Sequence, residues 1–133
     1  MPDRYAQISV TEDFIREIEK ACAITGTSQL SFIKLSVLRM IGKDTEYRTK
    51  AAIALQIAES KHTGEKVGKS IRLKESFKAE VADRLAEAFA GNASLMYRAS
   101  ALSLATLPES EMALEVEEAF AVSVNKQYGI KLK

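Results

Sequence analysis

The chain has 133 residues, 47% hydrophobic and 28% charged, with a formal net charge of +1. That length makes one compact unit, or two small copies sharing a core. No apolar run approaches the roughly 20 residues needed to cross a bilayer, and a single cysteine excludes an intrachain disulfide, as expected for a reducing cytoplasm. A net charge this small neither selects nor rejects nucleic acid as a partner, so the distribution of charge has to be read instead.

The polar start Met1-Pro2-Asp3-Arg4 leads directly into a strand and reads as no signal peptide. Tyr5-Ala6-Gln7-Ile8-Ser9-Val10-Thr11 alternates, with Ile8 and Val10 apolar between polar neighbours, which is the period of a half-buried strand. Thr11 suits an N-cap, with Glu12 and Asp13 in the first helical turn. Phe14, Ile18, Ala21, Cys22 and Thr25 then share one helical face, so Cys22 reads as core and not as a nucleophile. Gly26 stops this helix, and Thr27 or Ser28 caps the next, which spans about Gln29 to Ile41 and is apolar nearly all round, hence buried on most sides. Gly42 ends it. A third helix is predicted from about Asp44 to Ser60, with Tyr47, Ala51, Ala54, Leu55 and Ala58 inward. Lys61-His62-Thr63-Gly64-Glu65-Lys66 reads as a linker, with His62 on its surface.

At an offset of 63 the plan recurs: Gly68-Lys69-Ser70-Ile71-Arg72-Leu73-Lys74 runs into Glu75 and Phe77 as the first strand runs into Glu12 and Phe14. Held without a gap, that offset pairs Glu17 with Glu80, Ile18 with Val81, Ala23 with Ala86, Ser31 with Ser94, Phe32 with Leu95 and Ile33 with Met96. This is an internal duplication. In the second copy Phe77, Val81, Leu85 and Ala88 or Phe89 face inward, Gly91-Asn92 is the break, and Leu95, Met96, Ala99 and Leu102 form the buried helix. A last helix is predicted over about Pro108 to Gln127, with Val116, Phe120 and Val124 inward; Gly129 ends it and Ile130-Lys131-Leu132-Lys133 reads as a loose tail.

One strand per copy needs a partner for its backbone groups, and the only other strand is its duplicate. The expectation is therefore a mainly α fold with a short two-stranded antiparallel ribbon, divided into 1–66 and 67–133 around one shared core. The ribbon's apolar side must lie on the helices. The opposite side carries Tyr5, Gln7, Ser9 and Thr11 beside Gly68, Ser70, Arg72 and Lys74. Such a ribbon has the width of the DNA major groove. Charge agrees: Lys61, Lys66, Lys69, Arg72 and Lys74 stand against Glu65 alone, whereas 109–118 holds five glutamates and no base. The plainer alternative for the basic stretch is a solvated loop.

Strand, helix, Gly-containing turn, helix resembles the ribbon-helix-helix family. The resemblance is carried by Gln7-Ile8-Ser9-Val10-Thr11-Glu12-Asp13-Phe14, by Gly26-Thr27-Ser28 followed by Ser31-Phe32-Ile33-Lys34, and by Ser70-Ile71-Arg72-Leu73-Lys74-Glu75. It covers roughly 4–42 and 67–105, leaving one extra helix per repeat. A chain with both halves resembles the TraY-like accessory proteins of conjugative plasmids. The resemblance implies a tandem pseudo-dimer that binds double-stranded DNA as a transcriptional regulator or as an origin-of-transfer accessory factor. Its base-reading positions fall on Gln7, Ser9, Ser70 and Arg72, its flanking positions on Tyr5, Thr11, Gly68, Lys69 and Lys74. Its phosphate-contacting positions are Ser28, Gln29, Asn92, Ala93 and Ser94, at helix N-termini. Cooperative self-association on DNA is implied, as is contact with a relaxase or other DNA-processing protein; no membrane and no cofactor are implied.

A protein-interaction module, antitoxin-like or a scaffold, is the alternative on the same fold, with Glu109–Gln127 as its docking segment. Nothing points to an enzyme. Gly64 and Gly68 have three residues between them where a P-loop needs four, although the stretch ends Gly68-Lys69-Ser70. Tyr47 and Tyr97 read as packing residues.

Overall fold

The computed structural model describes residues 4–132. The readings made for Met1-Pro2-Asp3 and for Lys133 lie outside the described residues. Strand β1 (Arg4–Val10) is followed by α1 (Glu12–Thr25), α2 (Gln29–Met40) and α3 (Thr45–Ser60). Strand β2 (Val67–Leu73) then leads into α4 (Glu75–Phe77), a π-helical turn (Lys78–Ala82), α5 (Asp83–Ala88), α6 (Ala93–Ala105) and α7 (Glu109–Lys126). The chain is thus mainly helical, and β1 pairs antiparallel with β2, a strand distant in sequence.

Capping explains most boundaries. Thr11 Oγ1 accepts the Phe14 amide at 3.0 Å, Ser28 Oγ the Ser31 amide at 3.1 Å, Asp44 Oδ1 the Tyr47 amide at 2.9 Å and Asn92 Oδ1 the Leu95 amide at 3.0 Å. Each such cap stabilises its helix by about 1 kcal/mol. Gly26 closes α1 in the left-handed region at φ 71°, and α2 leaves at 88° to α1.

The ribbon is held by its inner side. Ile8, Val10, Ile71 and Leu73 are buried among the helices, each contributing about 1.5–3 kcal/mol on burial. A free two-stranded ribbon would be marginal. Helices α2 and α6 form the centre, with Phe32, Ile33, Leu35, Val37, Met40, Met96, Ala99, Ala101 and Leu104 fully enclosed. The extra helices are exchanged: α3 packs on α6, and α7 packs on α2 and α1. Each half of the chain thus lends one helix to the packing of the other.

The duplication contains one insertion, which corrects the gapless pairing. The strands, the helix starts Glu12 and Glu75, and Phe14/Phe77 follow the offset of 63. The next caps, Ser28 and Asn92, and the left-handed residues Gly26 and Ala90 (φ 57°), are one residue further apart. The extra residue is taken up in the π turn at Lys78–Ala82. Ser31, Phe32 and Ile33 thus correspond to Leu95, Met96 and Tyr97, and Ala23 to Glu87. Burial agrees, because Phe32 and Met96 are both fully enclosed whereas Leu95 is only half-buried.

Three further expectations are corrected. On α3 only Ala51 and Leu55 are buried; Ala54 and Ala58 are exposed, as are Ile53 and Ile57. On α7 the buried stripe is Met112, Val116, Ala119 and Ser123, which leaves Val124 exposed. The segment after α7 is not loose. Gln127 turns the chain in the left-handed region at φ 54°, and Tyr128 and Ile130 are buried. The Tyr128 ring meets Phe77 edge to face at 5.3 Å, its hydroxyl donates to Glu80 Oε1 at 3.2 Å, and Ser31 Oγ donates to the Lys131 carbonyl at 2.6 Å.

Arg39 was not singled out by sequence reasoning, yet it is a buried cation within a largely buried helix. Its guanidinium donates to the Tyr47 hydroxyl at 2.5 Å and to Ser103 Oγ at 3.4 Å, and lies 3.5 Å from Glu115 Oε1. Lys43 reaches the same carboxylate at 3.4 Å. The cluster joins α2, α3, α6 and α7. An arginine between Leu38 and Met40 in a helix buried on most sides was the available signal.

Candidate nucleic-acid interface

The register places Gln7 opposite Ser70, Tyr5 opposite Arg72 and Ser9 opposite Gly68. Side chains alternate along a strand, so these six share one side, and all six are exposed. Gln7 and Ser70 are each other's duplicates and meet at the ribbon's midpoint. There Gln7 Nε2 donates to Ser70 Oγ at 3.0 Å. The four residues expected to read bases are thereby brought onto one exposed surface, with Tyr5 beside them.

The flanking set is divided by the structure. Lys74 is exposed just beyond β2, but Thr11 is buried and its hydroxyl is used as the cap of α1. Lys69 has the opposite parity from Ser70 and Arg72, so it projects to the helical side, where its ammonium donates to Gln29 Oε1 at 2.8 Å. Thr11 and Lys69 are therefore corrected as outward flanking residues. A Cβ built on Gly68 would meet nothing within 4 Å, so the Ser9/Gly68 end of the surface is low and the Tyr5/Arg72 end is tall.

The helix N-termini expected to contact phosphate are those of α2 and α6. Ser28, Asn92 and Ala93 are exposed, and Gln29 and Ser94 are half-buried. Ser28 and Asn92 each satisfy one amide, which leaves the remaining first-turn N–H groups without intrahelical acceptors, a favourable setting for an anion. Gln29 is tied to Lys69, and Ser94 receives the Arg98 guanidinium at 3.1 Å on its carbonyl.

Around β2 the surface is basic. Lys34 of α2, Arg72, Lys74 and Lys131 line one depression of about 450 Å³ together with Leu30, Leu73, Tyr128 and Gly129. Lys131 belongs there only because of the folded tail, which sequence reasoning took as loose. On the other repeat the counterpart of Lys34 is Arg98, and its guanidinium is held by both oxygens of Glu59 at 2.5 Å. His62, expected on the surface, is half-buried, with Nδ1 3.7 Å from Asp13 Oδ2 and Nε2 3.4 Å from the Glu65 carbonyl.

Two tyrosines titrate above their ordinary range. Burial, with Asp83 adding a like charge, pushes Tyr97 up. Burial, then the charge of Glu80 and its hydrogen bond, raises Tyr128. Among the described residues no single helix is long and apolar enough to cross a membrane. Compared with known proteins, the chain matches no family model, and no curated protein or solved structure is significantly similar to it.

Proposed function

We propose that this chain is a sequence-specific double-stranded DNA-binding protein, a tandem ribbon-helix-helix pseudo-dimer that inserts its β-ribbon in the major groove. The observation that carries the reading is the ribbon itself. Two strands from duplicated segments pair about a midpoint formed by their own equivalent residues, Gln7 and Ser70, with the apolar side on the helices and a polar side exposed. A ribbon of this size fits the groove, where a guanidinium can bond guanine O6 and N7 together and a carboxamide can bond adenine N6 and N7. Arg72 and Gln7 take those roles, and the first turns of α2 and α6 position the duplex through its phosphates.

The two strands differ in sequence, so the preferred site is not a palindrome. One ribbon module covers only about 600–1,000 Å², so two or more chains bind neighbouring subsites cooperatively. Transcriptional regulation and DNA processing for conjugative transfer, beside a relaxase, both use such binding. Selection of bound duplexes from a random pool tests the proposal. Wild type is expected to enrich an asymmetric motif. The Gln7→Ala/Arg72→Ala variant is expected to lose it, at about 1–3 kcal/mol for each bidentate pair, while keeping weak, salt-sensitive binding. No enrichment and no retention at low salt would overturn the reading.

One observation favours an added or alternative role as a protein-interaction module. Ile53 and Ile57 of α3 are half exposed, 50% and 52%, one helical turn apart. If they dock a partner, Ile53→Glu/Ile57→Glu abolishes its capture without changing DNA binding; unchanged capture removes this reading.

A further inference from the structure

We infer that the outer face of α3 docks on the outer face of α7 of a second copy of this chain, so that copies on adjoining subsites of a duplex join head to tail. The inference rests on the DNA-binding reading above for the setting in which it acts, and it names the surface behind the cooperative binding. Helices α3 and α7 are equivalents in the duplication. α3 packs on α6 and α7 on α2, and the depressions beside them match at an offset of 64. Ala51, Ala54, Ala58 and Leu102 line one; Glu115, Glu118, Val122 and Leu38 line the other. The rotation that exchanges the strands about Gln7 and Ser70 therefore exchanges α3 and α7, which places them on opposite sides of the axis through that midpoint.

On these equivalent helices the exposed residues are complementary, not alike. α3 shows Ile53 and Ile57 between Lys50 and Lys61; at the same places α7 shows Glu117 and Ala121 between Leu114 and Asn125, with Glu118 alongside. Lys50 stands 3.0 Å from Glu46 in a fully solvated pair, which is worth little and is open to exchange. Glu117 borders an apolar depression of about 350 Å³, formed by Ile24, Ala113, Phe120, Ala121 and Leu132. Two isoleucines one turn apart suit that depression, and the lysines on either side of them suit Glu117 and Glu118. Contact between two α7 faces would instead set these acids against their own copies. Contact between two α3 faces would leave the depression on α7 uncovered. A contact between unlike faces is heterologous, so it continues from copy to copy in an open row. One helix from each copy makes a small contact, below the roughly 1,200 Å² of stable complexes. It is therefore weak in free solution and effective where DNA holds two copies side by side.

Charge exchange across the contact tests this. Binding to duplexes with one or two adjoining subsites is measured for wild type, Lys50→Glu/Lys61→Glu, Glu117→Lys/Glu118→Lys and the chain with all four changes. Wild type is expected to fill the second subsite about tenfold more tightly than the first. That gain is a ratio within each variant, so a general change of charge cancels. Either double variant should lose it and the fourfold variant should regain it, which mere destabilisation would not do. Double variants that keep the gain, or a fourfold variant that fails to restore it, overturn the docking surface and leave the ribbon reading standing. Amide spectra of the free chain in dilute and concentrated solution keep the two readings apart. Shifts are expected at both Ile53/Ile57 and Glu117/Ala121. Shifts on α3 alone, or on neither helix, overturn the head-to-tail contact and leave Ile53 and Ile57 to a different protein. Shifts on both helices in a chain that binds no duplex at low salt uphold the contact and overturn the DNA reading.

Discussion

The two strands of the ribbon have the same backbone and different surfaces. Each strand has seven residues with the same order of exposed and buried positions, and each runs into a helix that starts with a glutamate and buries a phenylalanine. Yet β2 carries Arg72, with Lys74 just beyond it and Lys34 and Lys131 beside them, whereas β1 offers Tyr5, Gln7 and Ser9. Equivalent positions on the buried side kept their character because the shared core requires it. The exposed positions were under no such packing constraint and diverged. The similarity between the strands is thus kept where they are packed and lost where they are exposed.

The comparison can be broken hardest at the inserted residue. Deleting exposed Ala79 converts the π turn to regular helix and leaves Phe77 and Leu85 facing the core, so the variant is expected to melt cooperatively near wild type. Deleting the equivalent Arg16 from regular α1 rotates Ile18, Ala21 and Cys22 off the core, with loss of the folded state by circular dichroism. Equal outcomes for the two deletions would contradict the insertion account.

Next in size are the two phenylalanines. Phe14→Ala and Phe77→Ala should each lose about 3–5 kcal/mol in denaturant unfolding. Phe77→Ala should lose about 0.5–1.5 kcal/mol more, because its ring also meets Tyr128. A smaller effect is expected at the ion pair between α3 and α6. Arg98→Ala leaves the Glu59 carboxylate without its partner in a largely enclosed position and should destabilise by about 1–3 kcal/mol in denaturant unfolding.

The smallest effect is at high pH. Tyr97 and Tyr128 hold their protons more tightly when folded than when unfolded. Their contribution is complete below the ordinary tyrosine range near pH 10 and is lost as pH rises through the folded values. Stability should therefore fall above about pH 10. The fall should be shallower in Tyr128→Phe, as followed by urea midpoints across that range.

Much of the fold was legible in the sequence because its boundaries are chemical. Thr11, Ser28, Asp44 and Asn92 cap the helices expected at those places, and the alternation at Ile8/Val10 and Ile71/Leu73 marks the strands. What escaped lacked a local signature. Helix α3 carries Ala or Ile on every side, so periodicity could not choose Ala51 and Leu55 over Ala54 and Ala58. The π turn contains neither Gly nor Pro, and its neighbours tolerate a shift because Ala and Leu serve on either register. The tail is too short for periodicity, and its anchors, Phe77, Glu80 and Ser31, are remote in sequence. For the candidate interface, alternation alone could place Gln7, Ser9, Ser70 and Arg72 on one side. The burial of Thr11, the inward turn of Lys69 and the arrival of Lys131 all depend on tertiary contacts.

The central claim is that the polar side of this ribbon reads bases in the major groove. Replacing purines of the selected duplex one at a time with their 7-deaza analogues removes an N7 acceptor from that groove and leaves the minor groove untouched. The account predicts a loss of affinity of about tenfold at one or more positions, and no displacement of the protein by a minor-groove ligand such as netropsin. Full affinity for every 7-deaza duplex, together with displacement by netropsin, would contradict it.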